Sequence, residues 1–102
     1  MPSSVEETLI EVWRQAMVAN ASSVHLGSKV YPIRRTAKTG LRQIDFQVEG
    51  EDFRGLEQNP NTSSRWAQLA RSGKKVMQFL QNGRYIAAVV DGKVTTYGKE
   101  DR

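Results

Sequence analysis

Apolar residues return at two different periods along this chain, and the switches between the periods divide it into elements. Val5, Leu9, Val12, Trp13, Ala16 and Met17 recur at helical spacing, with Glu6, Glu7, Glu11, Arg14 and Gln15 on the opposite side. That spacing predicts an amphipathic helix laid on a core. Ser4 and Glu7 stand at the distance of a capping box, and the early glutamates suit the positive end of the helix dipole. After Ala21 the period changes. A strand is expected over about Lys29 to Arg35, and Pro32, which has no amide hydrogen to give to a ladder, places it at a sheet edge. Thr39-Gly40 marks a turn. Ile44, Phe46 and Val48 then alternate with Gln43, Asp45, Gln47 and Glu49, the pattern of a half-buried antiparallel strand. The run "EGED" reads as its turn, and "FRGL" as a short further strand.

The period returns to helical after Asn59-Pro60. Asn61 or Thr62 can cap a second helix over about Ser63 to Ser72, in which Trp66, Leu69 and Ala70 share a face and Arg71 occupies the last turn. Gly73 falls where a left-handed residue ends a helix. Beyond it, Asn82-Gly83 and Asp91-Gly92 are dipeptides suited to two-residue hairpin turns, which predicts a three-stranded meander. Simple alternation would pair Leu80 with Tyr85, Val76 with Val89 and Val89 with Val94. It would put Val76, Gln78, Leu80, Tyr85, Ala87, Val89, Val94 and Thr96 on a core face, and Lys75, Met77, Phe79, Arg84, Ile86, Ala88, Val90, Lys93, Thr95 and Tyr97 on the other. The expected fold is therefore α+β. Two amphipathic helices pack on an antiparallel sheet of five to six strands in the order α-β-β-(β)-α-β-β-β, ending in the meander. Residues 1–98 form one domain and 99–102 a charged tail that frays.

Composition narrows the class further. A chain of 102 residues supports one core. The absence of cysteine removes disulfides, thiol catalysis and cysteine-ligated metals. No apolar run is long enough to cross a bilayer, and the acidic N-terminus is unlike a secretory signal, so a cytoplasmic setting without a membrane is expected. The net charge of +4 is distributed in blocks of alternating sign: −2 over residues 1–20, +4 over 21–48, −3 over 49–60 and +5 over 61–102. Such blocks suit complementary surfaces better than a uniform coat for phosphates.

Catalytic chemistry finds little support. His25 is the only histidine and falls in an expected loop, where a hydrogen-bonding surface role is the ordinary one. No serine has nucleophile-elbow spacing. Glu49, Glu51 and Asp52 surround Gly50 without the length or ligand order of a calcium loop, and "RSGKK" lacks the frame of a phosphate loop. No enzyme and no cofactor are expected.

Basic residues carry the stronger signal. Arg34, Arg35, Lys38 and Arg42 form one cluster, and Arg71, Lys74 and Lys75 a second; Phe79 and Tyr97 lie beside Lys75, Arg84 and Lys93 on the expected second face. Cations of this kind are commonly solubilising, and Met77, Phe79 and Ile86 suit a core beneath the first helix equally well. The sequence around "YPIRRT" and "GLEQNPNTSSRWAQLARSGKKVMQFL" resembles small uncharacterised proteins of cyanobacteria over about Glu7 to Gly98. That resemblance implies a soluble intracellular protein and transfers no site residue. The first functional expectation is a non-enzymatic binding module that engages an acidic protein surface or larger assembly through its basic clusters. The alternative is single-stranded nucleic-acid binding, with cations on phosphates and rings on bases. A third is a small-molecule pocket between the second helix and the sheet near Trp66.

Overall fold

The computed structural model describes residues 4–97. Helix α1 (Ser4–Trp13) continues into a wider π-helical turn over Arg14–Val18. Strands β1 (Ser23–Leu26) and β2 (Lys29–Pro32) form a separate hairpin. Then follow β3 (Arg34–Arg35), β4 (Arg42–Val48), β5 (Glu51–Glu57), α2 (Arg65–Arg71), β6 (Val76–Gln81), β7 (Arg84–Val90) and β8 (Lys93–Thr96). Strands β3 to β8 make one six-stranded antiparallel sheet in which every strand pairs with its neighbour in sequence. The α+β class and the C-terminal meander are as the sequence pattern predicts.

Three tight turns fix the register. Glu49-Gly50, Asn82-Gly83 and Asp91-Gly92 each have positive φ at both residues, as a two-residue turn that matches strand twist requires. The first of these is the turn expected at the acidic run "EGED". It extends the expected short strand at "FRGL" into the seven residues of β5. The expected strand over Lys29 to Arg35 is split at Ile33. Its first half pairs with β1 and its second half with β4. His25, expected in a loop, lies in β1.

The principal core lies between α1 and one sheet face. Leu9, Val12, Trp13, Ala16 and Met17 meet Ile44, Phe46, Phe53, Met77, Phe79, Ala87 and Val89, with Val24 arriving from the small hairpin. Each large side chain buried there contributes roughly 1.5–3 kcal/mol of transfer free energy. Trp13 closes the lower end of the helix by donating its indole N–H to the Lys75 carbonyl at 2.8 Å. Phe46 stacks on Phe53 across the β4–β5 pair and meets the edge of Phe79 at a ring separation of 6.1 Å.

The sorting of the meander by simple alternation does not hold. Leu80 pairs with Tyr85 and Val89 with Val94 as expected, but a bulge leaves Ile86 unpaired and shifts Val76 from Val89 to Val90. The core face consequently takes Met77 and Phe79 from one expected set and Ala87 and Val89 from the other. Tyr85, expected inside, is 50% exposed. The opposite face is covered in part by α2. Ala67, Val76 and Ala88 are buried there, apart from the principal cluster, and the Trp66 ring lies 6.4 Å from that of Tyr97.

The expected caps differ. Ser4 is already helical, its hydroxyl donates to Glu49 at 3.0 Å, and no capping bond joins Ser4 and Glu7 among the described residues. The cap of α2 is Ser64, which accepts from the Ala67 amide at 3.1 Å, in place of Asn61 or Thr62. Asn59 instead holds its own turn by accepting from the Asn61 amide. The expected tail at 99–102 lies outside the described residues.

Candidate functional site

Antiparallel pairing decides where the charges go. Because β4, β6 and β8 run one way and β5 and β7 the other, the β3–β4 turn, the start of β6 and the β7–β8 turn share one end of the sheet. That rim carries Arg35, Lys38, Arg42, Lys74, Lys75 and Lys93. The carboxylates on its strand ends and turns, Glu57 and Asp91, are both paired, with Arg42 at 3.1 Å and Lys74 at 3.0 Å. The opposite rim holds Glu49, Glu51 and Asp52 at the β4–β5 turn, whose side chains bond to neutral partners: Ser4, Asn82 and Gln47. Blocks of charge that alternate along the sequence thus become two ends of unlike sign. At about 4.8 Å per strand, the basic rim extends roughly 24 Å from β3 to β8.

The expected binding residues divide into exposed and engaged groups. Lys38, Lys75 and Lys93 are exposed on the rim, and Arg35 is exposed with its guanidinium donating to the Gly40 carbonyl at 2.8 Å. Arg34 is exposed on the sheet face that carries Asp45. Arg84 is exposed but lies at the β6–β7 turn, on the opposite rim. Arg42 is a structural tie, half-buried between Glu57, Asn20 and the Met17 sulfur. Arg71 fastens the loop before α2 through the carbonyls of Pro60 and Thr62. Phe79 has no exposed surface. Tyr97 is half-buried, its ring beside Trp66 and its hydroxyl donating to Gln78 Oε1 at 2.8 Å. The basic clusters therefore meet on one rim, while the two rings expected beside them do not form an open platform.

Two carboxylates are held below their usual range. Asp45 is lowered first by its hydrogen bond from Arg54, against the opposing effect of burial, and further by the charges of Arg54 and Arg34. The Arg54 Nε–Asp45 Oδ1 distance is 2.7 Å. Glu11 is lowered first by its hydrogen bond from Arg14, and Gln15 adds to that effect. Both are ordinary consequences of cationic or amide donors on a surface carboxylate. Among the described residues no group of histidine, aspartate and glutamate could hold a metal ion, and no helix is long and apolar enough to cross a membrane.

A cleft of about 340 Å³ opens on the α2 face of the sheet. It lies between the β3–β4 turn and the loop that leads into α2, with Leu41 and Leu56 as its apolar surface and Tyr85 as a wall, and Trp66 is not among its lining residues. A polar chain backs it: Tyr97 donates to Gln78, Gln78 Nε2 to Gln58 Oε1, and Gln58 Nε2 to the Asn59 carbonyl at 2.9 Å. Gln58 is only 7% exposed, yet both ends of its amide are satisfied. Sequence reasoning missed Glu57, Asn59 and Tyr85 as cleft residues. Only the polar run "EQNPN" ahead of the helix hinted at Glu57 and Asn59, and nothing local pointed to Tyr85, because the positions meet through strand pairing rather than through any local motif.

No family model, curated protein or solved structure matches this chain. These comparisons do not bear on the expected resemblance to small cyanobacterial proteins.

Proposed function

We propose that this chain is a non-enzymatic binding module that engages an acidic protein surface through its basic rim. The observation that carries this reading is the segregation of uncompensated charge: Lys38, Lys75 and Lys93 have no ion-pair partner among the described residues and share one end of the sheet. An acidic partner would gain from these cations without first breaking an internal pair. Exposed charges of this kind raise encounter rates and set orientation more than they add affinity. The nucleic-acid alternative has less support, since Phe79 is enclosed in the core and Tyr97 is engaged by Trp66 and Gln78.

Titration with an oligoglutamate peptide and, separately, with single-stranded DNA distinguishes the two. The expected result is peptide binding that weakens as salt rises and is lost in the Lys75→Glu/Lys93→Glu double variant, while Arg84→Glu on the other rim leaves it intact. Equal binding by the rim variant and the parent chain would remove the proposal. Tighter binding of DNA than of peptide would transfer the rim to the alternative.

A further inference from the structure

The cleft beside α2 has a chemistry different from that of the rim. Its charged side chains, Arg42 and Glu57, neutralise each other. Glu57 Oε1 accepts both the Arg42 amide at 2.9 Å and the Arg42 guanidinium at 3.1 Å, which fixes the carboxylate and leaves Oε2 without a partner among the described residues. Asn59 uses its side-chain oxygen on the Asn61 amide and leaves its amide nitrogen unengaged. The Tyr85 hydroxyl is likewise unengaged, and its ring is half exposed. Gln78 is held by Tyr97 on one side and Gln58 on the other.

We propose that this cleft binds a neutral, hydroxyl-rich ring compound of mono- or disaccharide size. A net-charged ligand would meet a wall whose own charges already cancel and would lose hydration without a counter-ion. A vicinal diol, by contrast, donates one hydroxyl to Glu57 Oε2 and accepts from the Asn59 amide with another. The less polar face of its ring covers Tyr85, Leu41 and Leu56. The volume is near the lower end of the roughly 300–1,000 Å³ usual for small-molecule sites. The Tyr97–Gln78–Gln58 chain holds the polar wall in place before a ligand arrives, which lowers the ordering cost of binding.

The test is amide-resolved NMR of the full chain titrated with glucose and, in a second series, with maltose, to tens of millimolar. Saturable shifts centred on Glu57, Asn59, Gln78 and the Asn59 side-chain amide are expected with at least one sugar. Tyr85→Ala should weaken that binding about tenfold or more, with the circular dichroism spectrum retained because Tyr85 is a surface side chain. The Lys75→Glu/Lys93→Glu variant should bind sugar as the parent does. Absence of saturable shifts with both sugars, shifts centred elsewhere, or unchanged binding in Tyr85→Ala each overturns the proposal.

Discussion

The side-chain amide of Gln15 makes both hydrogen bonds that a neighbouring strand would offer to His25: Nε2 donates to the His25 carbonyl at 3.0 Å and Oε1 accepts the His25 amide at 2.9 Å. One glutamine thus stands in for a strand on the open side of β1, a position where unpaired backbone groups invite pairing with another chain. Glu11 orients the amide by accepting from the same Nε2 at 2.6 Å. Replacement Gln15→Ala is expected to destabilise the fold by about 1 kcal/mol, the usual scale for lost hydrogen bonds at a partly wet site. Hydrogen exchange at the His25 amide should accelerate by more than the global loss of stability explains. Unchanged exchange there would show that the Gln15 side chain does not protect the His25 amide.

Gly55 supplies a second, steeper test. It sits opposite both Ile44 and Phe79 in the ladder, and a Cβ built on it would lie 3.0 Å from Met77 Sδ, 3.0 Å from Phe79 Cε1 and 3.2 Å from Ile44 Cγ2. Met77 is flexible, but the Phe79 ring is enclosed on all sides and cannot easily give way. Gly55→Ala should therefore cost about 1–3 kcal/mol as an overpacked core position. In urea the midpoint should fall with the slope unchanged. Adding Phe79→Leu should cost less in the Gly55→Ala background than in the parent chain, because the second change relieves the first.

These two residues also show what the sequence made readable and what it did not. The helix of Leu9, Val12 and Trp13 and the turns at Asn82-Gly83 and Asp91-Gly92 are governed by local rules, namely side-chain period and backbone conformation, so they could be read directly. The β1–β2 hairpin was missed because each strand has only four residues, too few for alternation to stand out. The bulge at Ile86 depends on how β7 meets β6 on one side and β8 on the other, and the Ile86 carbonyl accepts the Tyr97 amide. No local pattern announces it, yet it decides which side chains face α1. The basic residues were legible as a charge pattern, but their gathering on one rim follows from strand direction. The cleft joins residues from Thr36 to Tyr85 and could not be read without the sheet.

The Asp45–Arg54 pair carries a pH dependence of definite sign. Folding lowers the Asp45 pKa, so its contribution to stability is complete above the unfolded value near pH 4 and is lost as pH falls through the lower folded value. With side chains 42% and 49% exposed, the pair is worth about 0.2–1 kcal/mol at most. Titration of the Asp45 side-chain carboxyl by NMR should give a midpoint below that of an unstructured peptide. Arg54→Met should raise the midpoint, though not fully, because Arg34 also favours the carboxylate. A midpoint unmoved by the substitution would show that the pair is open in solution.

The chain of Tyr97, Gln78 and Gln58 distinguishes the cost of losing a hydrogen bond from the cost of stranding a buried polar group. Tyr97→Phe removes one donor to Gln78 and should cost about 1 kcal/mol. Gln78→Leu removes the partner of Gln58 Oε1, an atom on a side chain that is almost wholly enclosed, so the expected loss rises to about 1–3 kcal/mol. Replacing both glutamines by leucine removes the stranded group together with its lost partner. The double variant should therefore be more stable than the sum of the single losses predicts, and a thermodynamic cycle from urea unfolding measures that difference. Strict additivity would mean that the two amides do not depend on each other, and that the wall of the cleft is not held by this chain.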